Sequence, residues 1–252
     1  MELGFEHGLL VALALAAIAL GSLCKGITGV GLPVLAVPMV ASFTSVADAV
    51  VIMVLPGLAS NAMIVLSHRK WTMLRGHFLF LASGCAGAWI GVELLAALDD
   101  RALKALLAAW LAIYLVRHFL VGSQPGETRL PRWASALFGL AGGASQGAMG
   151  ISASIVGPYY QLAGARKSDY AFLVACSFLL FYAAQGLSLT QTPLFTRERV
   201  LIGLLAIVPT LVFTHIGIRV AHRISEASFN RILLGLFVAM EIKLLLEVFG
   251  IG

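Results

Sequence analysis

The chain has 252 residues, 60% hydrophobic and only 12% charged, with a formal net charge of +5. A soluble domain carries about a quarter charged residues, so a water-soluble fold is excluded, and the positive balance is read as membrane anchoring with no nucleic acid as partner. Recurring apolar runs of roughly 17–25 residues, enough to cross about 30 Å of hydrocarbon, also exclude a β-barrel, whose strands alternate.

The first run, about 8–24, lacks a basic stretch before it and ends in glycines, so it is read as a retained span and not a signal peptide. Lys25-Gly-Ile-Thr-Gly-Val-Gly-Leu-Pro33 comes next. Its glycines, Gly26, Gly29 and Gly31, predict a helix break, since each costs about 1 kcal/mol against alanine in a helix interior. Pro33 suits the first turn of a new helix. Further segments are predicted at about 29–43, 45–67, 73–97 and 101–119. A polar stretch, 121–133, connects this first repeat (1–120) to a second (134–252). The second half divides into about 134–148, 151–164, 169–190, 198–221 and 226–249, with its own break at Gln146-Gly-Ala-Met-Gly-Ile-Ser-Ala-Ser154 and Pro158 beyond.

The halves correspond residue by residue. Gly26 falls on Gly147 and Gly29 on Gly150, Asn61 lies opposite Gln185, and Ile90-Gly91-Val92 matches Ile216-Gly217-Ile218. Arg69, Lys70 and Arg75 share a side with Arg117, Arg129 and Arg132, which the positive-inside bias makes cytoplasmic. Counting each broken pair as down-and-back brings Arg166, Lys167, Arg219, Arg223 and Arg231 to that side too. Each half then has five segments, and an odd count inverts the second half. The predicted fold class is an all-α polytopic membrane protein of two inverted-topology repeats, each opening on short or broken helices, an architecture of secondary transporters.

The breaks are the first candidate site. Non-helical backbone at membrane depth is tolerated only where protein or water covers it, and a helix N-terminus there presents free N–H groups and partial positive charge to an anion. Thr28, Gly29 and Gly31 lie at one such terminus, and Gly150, Ser152 and Ser154 at the other. The sharp reading holds a small anion between them; the other is close helix packing by small residues. Lys25 is either an oxyanion partner or a snorkelling interfacial residue. Gln146 is its uncharged counterpart. Asn61 and Gln185 either line a pathway or cross-link helices, and the repeat match favours the pathway. His215, mid-segment, is a proton-coupling candidate, with a hydrogen-bonded structural histidine as the alternative.

Other chemistry finds no constellation. There is no Walker A sequence, no metal-ligand spacing and no activated serine, so neither an enzyme nor a cofactor is expected. Cys24, Cys85 and Cys176 show no paired spacing and read as packing residues.

The stretch from Gly26 to Pro33, continued by Val37-Pro38, resembles the amino-terminal glycine–proline signature of the sulfite exporter TauE/SafE family, also called TSUP. The size, the two-repeat organisation and the basic loop containing Trp71 are similar as well. The resemblance implies an inner-membrane transporter that exports sulfite, thiosulfate, sulfoacetate or other organosulfonates by alternating access. The expected partners are that anion and the lipid bilayer; proton coupling and a homo-oligomer stay open. An anion channel, or a carrier for a non-sulfur organic anion, is the competing reading.

Overall fold

The structure is a computed structural model that describes residues 5–28, 31–68, 70–120, 131–221 and 226–249. Among these, ten α-helices and one 3-10 segment occur, and no strand. The first half holds α1 (Phe5–Thr28), α2 (Leu32–Ala41), α3 (Val46–His68), the 3-10 segment Trp71–His77, α4 (Phe78–Ala97) and α5 (Asp100–Leu120). The second holds α6 (Arg132–Met149), α7 (Ala153–Leu162), α8 (Lys167–Leu189), α9 (Arg197–Val220) and α10 (Glu226–Val248). Among the described residues, five stretches are long and apolar enough to cross a membrane: Gly8–Thr28, Val46–His68, Trp71–Ala97, Asp169–Leu189 and Arg197–Val220. The protein is an all-α polytopic membrane protein, as its composition predicts.

Each predicted apolar segment corresponds to a helix, but the first break falls later than the glycines suggest. Helix α1 continues through Lys25 and Gly26 to Thr28. The reason is tertiary. Gly26 packs backbone to backbone on Gly217 of α9, and a side chain there would overlap the Thr214 carbonyl. Close approach of this kind is what small residues provide between membrane helices, and it outweighs a helix penalty of about 1 kcal/mol. The turn itself uses Gly31, whose φ of 144° suits glycine, and α2 then starts with Pro33 in its first turn. The second break turns on Gly150, with φ of 70° in the left-handed region.

Helix directions follow from which residues meet. Gly139, Gly143 and Gly147 of α6 face Phe80, Gly84 and Gly91 of α4, so the two run parallel. Helix α9 is parallel to α3, because Arg199 bonds Asp48 and Gly203 meets Ile52. By contrast α3 and α8 are antiparallel: Gly57 meets the Tyr182 ring while Val54 meets Gly186. Helices α5 and α10 are antiparallel too, with Arg101 and Lys104 reaching Val248 and Glu247. The packing of α1 on α9 in one part of the molecule is matched by α6 on α4 in the other.

Two apolar cores result. One gathers α1, α2, α3 and α5 around small aliphatic residues such as Ala17, Ala36 and Ala49. The other gathers α4, α7 and α8 around rings, where Phe80 stacks on Tyr159 at 3.8 Å and Tyr160 and Phe181 close in. The charges divide between two ends. Lys70, Arg75, Arg132, Arg166 and Arg219 lie at one, where Asp169 bonds Lys70 at 2.5 Å. At the other, Arg199 pairs with Asp48 at 2.7 Å, and Lys104 with Asp100 and Glu247 at 3.0 and 2.8 Å.

Candidate functional site

Two polar clusters lie within the helices. The first is built on Lys25, in the last turn of α1 and only 4% exposed. Its Nζ donates to Ser60 Oγ at 2.9 Å and to Asn61 Oδ1 at 2.8 Å, both on α3. Those acceptors are set by their own helix: Ser60 Oγ donates to the Gly57 carbonyl at 3.2 Å and Asn61 Nδ2 to the same oxygen at 2.7 Å. Just ahead, Pro56 removes the N–H that would bond the Ile52 carbonyl, which instead faces Gly203 of α9. No ion pair among the described residues involves Lys25. An ammonium has three N–H groups, and two are taken by neutral oxygens.

The second cluster is built on Gln146, 1% exposed near the end of α6. Its Nε2 donates to Gln185 Oε1 and to the Gly150 carbonyl, both at 3.3 Å. Gln146 Oε1 accepts from Ser152 Oγ at 2.8 Å. Gln185 Nε2 returns to the Gln146 and Gly147 carbonyls at 2.9 and 3.3 Å, and Ser145 Oγ donates to the Ile151 carbonyl. Every amide hydrogen of the two glutamines has an acceptor, so this cluster is a neutral, closed clamp around the second break.

The predicted site residues therefore separate into two groups. Lys25 meets Asn61, and Gln146 meets Gln185, Ser152 and Gly150. Gln185 neighbours Gly186, which faces Val54, and Asn61 lies seven residues along α3 from Val54, so the clusters are about 10 Å apart along the helix axis at 1.5 Å per residue. Thr28 spends its hydroxyl on the Cys24 carbonyl at 2.9 Å. Ser154 is half-buried in the first turn of α7. Gly31 packs on Cys24 and Thr28 while Gly150 packs on Val37 and Val50, so these two glycines do not meet. Gly29 lies outside the described residues. His215 is exposed on the outward side of α9, between apolar Phe213 and Ile216, and joins neither cluster. Ser60 and Ser145 were not anticipated; the one available signal for Ser60 is its place beside Asn61.

A cavity of about 110 Å³ adjoins the charged cluster, lined by Asn61, Thr28, Ile64, Tyr170, Val174 and Phe178. That is room for roughly three or four waters at about 30 Å³ each. At the opposite end a larger cavity, about 440 Å³, lies beside the Asp48–Arg199 pair and is lined by Leu10, Phe43, Thr44 and Thr196. An intramembrane lysine with no carboxylate partner among the described residues, next to a small cavity, marks a candidate site for an anion. Among the described residues no His, Cys, Asp and Glu group could hold a metal ion.

No curated protein and no solved structure matches the chain. The sequence profile of the sulfite exporter TauE/SafE family matches residues 13–244, nearly the full length. The chain belongs to the sulfite exporter TauE/SafE family, whose members are membrane transporters of sulfur anions.

Proposed function

We propose that this protein is a secondary transporter that exports a small sulfur-containing oxyanion, such as sulfite, thiosulfate or sulfoacetate, across the inner membrane by alternating access. The observation that carries the reading is Lys25. A buried ammonium costs several kcal/mol unless an opposite charge meets it. The neutral oxygens of Ser60 and Asn61 orient it without supplying that charge. An oxyanion supplies it, and the family membership favours sulfur.

Alternating access draws on the helix directions. Corresponding helices, α3 with α8 and α5 with α10, run antiparallel, and the α1–α9 contact has its counterpart in α6–α4. Two inverted repeats, 1–120 and 134–252 joined by 121–133, account for both features, and one bundle rocking against the other would expose the site to each side in turn. The end carrying Lys70, Arg75, Arg132, Arg166 and Arg219 is then cytoplasmic.

Sulfite counterflow in proteoliposomes tests the reading. Trans-stimulated exchange is expected from the native protein and its loss from Lys25→Gln, which places the second half's own residue at the first-half position. Flux without exchange would make the protein a channel. In a thermal-shift screen, stabilisation by acetate with none by sulfite, thiosulfate or sulfoacetate would remove the sulfur assignment.

A further inference from the structure

The inward stripe of α9 consists of Gly203, Ala206, Thr210, Thr214 and Gly217. Thr210 is 0% exposed and Thr214 2%, and neither hydroxyl has a hydrogen-bond partner among the described residues. A threonine inside a helix ordinarily returns its hydroxyl to a carbonyl three or four residues back, as Thr28 does at the end of α1. A buried polar group left unpaired calls for a reason.

Register places both threonines at the level of Lys25. Arg199 pairs with Asp48 and Gly203 meets Ile52, so continuing that offset along α9 and α3 puts Thr210 level with Ser60 to within one residue's rise, about 1.5 Å along the helix axis. The Thr214 carbonyl lies against Gly26, the residue after Lys25. The stripe therefore lies at the depth of the α1–α3 cluster, on a helix packed against both α1 and α3.

The other half of the molecule shows what the same place looks like without a ligand role. Aligning Gly217 with Gly91 sets Thr210 and Thr214 opposite Gly84 and Ala88 of α4, neither of which has a hydroxyl. There the Phe181 ring covers Gly84, and the neighbouring glutamines bond one another. The helix that runs beside Lys25 carries two open hydroxyls, and the corresponding positions beside the closed clamp, Gly84 and Ala88, carry none.

We propose that Thr210 and Thr214 are ligand-binding residues of the anion site, donating their hydroxyls to oxygens of an anion whose charge rests against Lys25. This rests on the reading of Lys25 given above. With the third N–H of Lys25 and the second Nδ2 hydrogen of Asn61, the site presents four donors. Three oxygens of a sulfite or sulfonate group engage such a set; the two of a carboxylate leave donors unpaired, and unpaired buried donors are what discriminate strongly between ligands. The threonines thus select three-oxygen anions over carboxylates.

Binding of sulfite, methanesulfonate and acetate to the detergent-purified protein, by calorimetry, tests this on the native chain, Thr210→Val, Thr214→Val, the double variant and Lys25→Gln. Each single Val variant is expected to weaken sulfite on the order of tenfold, the worth of one hydrogen bond to a charged group. Acetate is expected to change little, so the sulfite-to-acetate ratio falls. The ligand-free melting temperature is expected to hold or rise, because valine removes an unpaired hydroxyl; a structural threonine would lower it. Unchanged sulfite affinity in the double variant, with Lys25→Gln unable to bind, overturns the threonine assignment alone. Native-like sulfite binding by Lys25→Gln overturns the Lys25 site, and the assignment with it.

Discussion

Lys25 Nζ lies 2.8 Å from Asn61 Oδ1, and Asn61 Nδ2 is held by the Gly57 carbonyl of its own helix at 2.7 Å. The amide is therefore fixed with its oxygen turned towards α1, an acceptor in place before any anion arrives. Asn61→Leu takes that acceptor from a buried ammonium, and the expected cost is about 1–3 kcal/mol of stability. Replacing both partners by apolar groups is close to neutral by the same reasoning. Lys25→Met/Asn61→Leu is therefore expected to melt well above the sum of the single losses. Strict additivity in thermal unfolding of the four proteins would show that the pair is not coupled.

The Gln146–Gln185 clamp is predicted to hold structure and not substrate. Gln185→Leu strands the Gly147 carbonyl and one Gln146 Nε2 hydrogen, at an expected cost of about 1–3 kcal/mol. Sulfite affinity, measured below the melting transition, is expected to stay within about twofold, well short of one hydrogen bond's worth. A stable Gln185→Leu protein that cannot bind sulfite would move this amide into the ligand site.

The meeting of α1 and α9 is predicted to tolerate no side chain. A Cβ at Gly217 would overlap the Leu23 carbonyl and come 2.8 Å from the Gly26 Cα. Gly217→Val is expected to destabilise by about 1–3 kcal/mol or more through overpacking. Gly235 of α10 has nothing within 4 Å of the same position. Gly235→Ala is therefore expected to be neutral or to gain up to about 1 kcal/mol from helix propensity. Equal effects of the two substitutions on melting temperature would contradict the packing argument.

Much of the fold is legible in the sequence because apolar length and glycine–proline punctuation are local signals. The ten helices fall on the predicted segments, and Gly31, Pro33 and Gly150 mark the two turns. Gly26 reads as a breaker in the sequence because its packing partner, Gly217, lies on α9, nearly two hundred residues away in sequence. The site is less legible. Lys25, Asn61, Gln146 and Gln185 stand out as polar residues in apolar runs, yet which pairs with which depends on the tertiary packing. Ser60, Thr210 and Thr214 are hidden for a different reason: small hydroxyl residues are common in membrane helices as packing elements. Only their burial and unpaired state single out the threonines.

The two halves are also tied at opposite ends by ion pairs that exchange their roles. Asp48, third in α3, bonds Arg199 of the second half at 2.7 Å; Asp169, third in α8, bonds Lys70 of the first half at 2.5 Å. Asp169 is 5% exposed, so removing Lys70 takes the opposite charge away from a nearly buried carboxylate. Lys70→Met is therefore expected to cost about 1–3 kcal/mol, and the exchange Lys70→Asp/Asp169→Lys to recover part of it. The pairs also lie where each end would have to part for access. Cys24 is buried beside Gly31 and Thr28, and Thr28 lines the cavity next to the Lys70–Asp169 end. In a Cys85→Ser/Cys176→Ser background, Asp169→Asn is expected to speed maleimide modification of Cys24 several-fold from the basic side, and Asp48→Asn to leave that rate unchanged. Equal acceleration by both substitutions would mean that the pairs set overall stability, because a latch confined to one end cannot respond to the loss of the other.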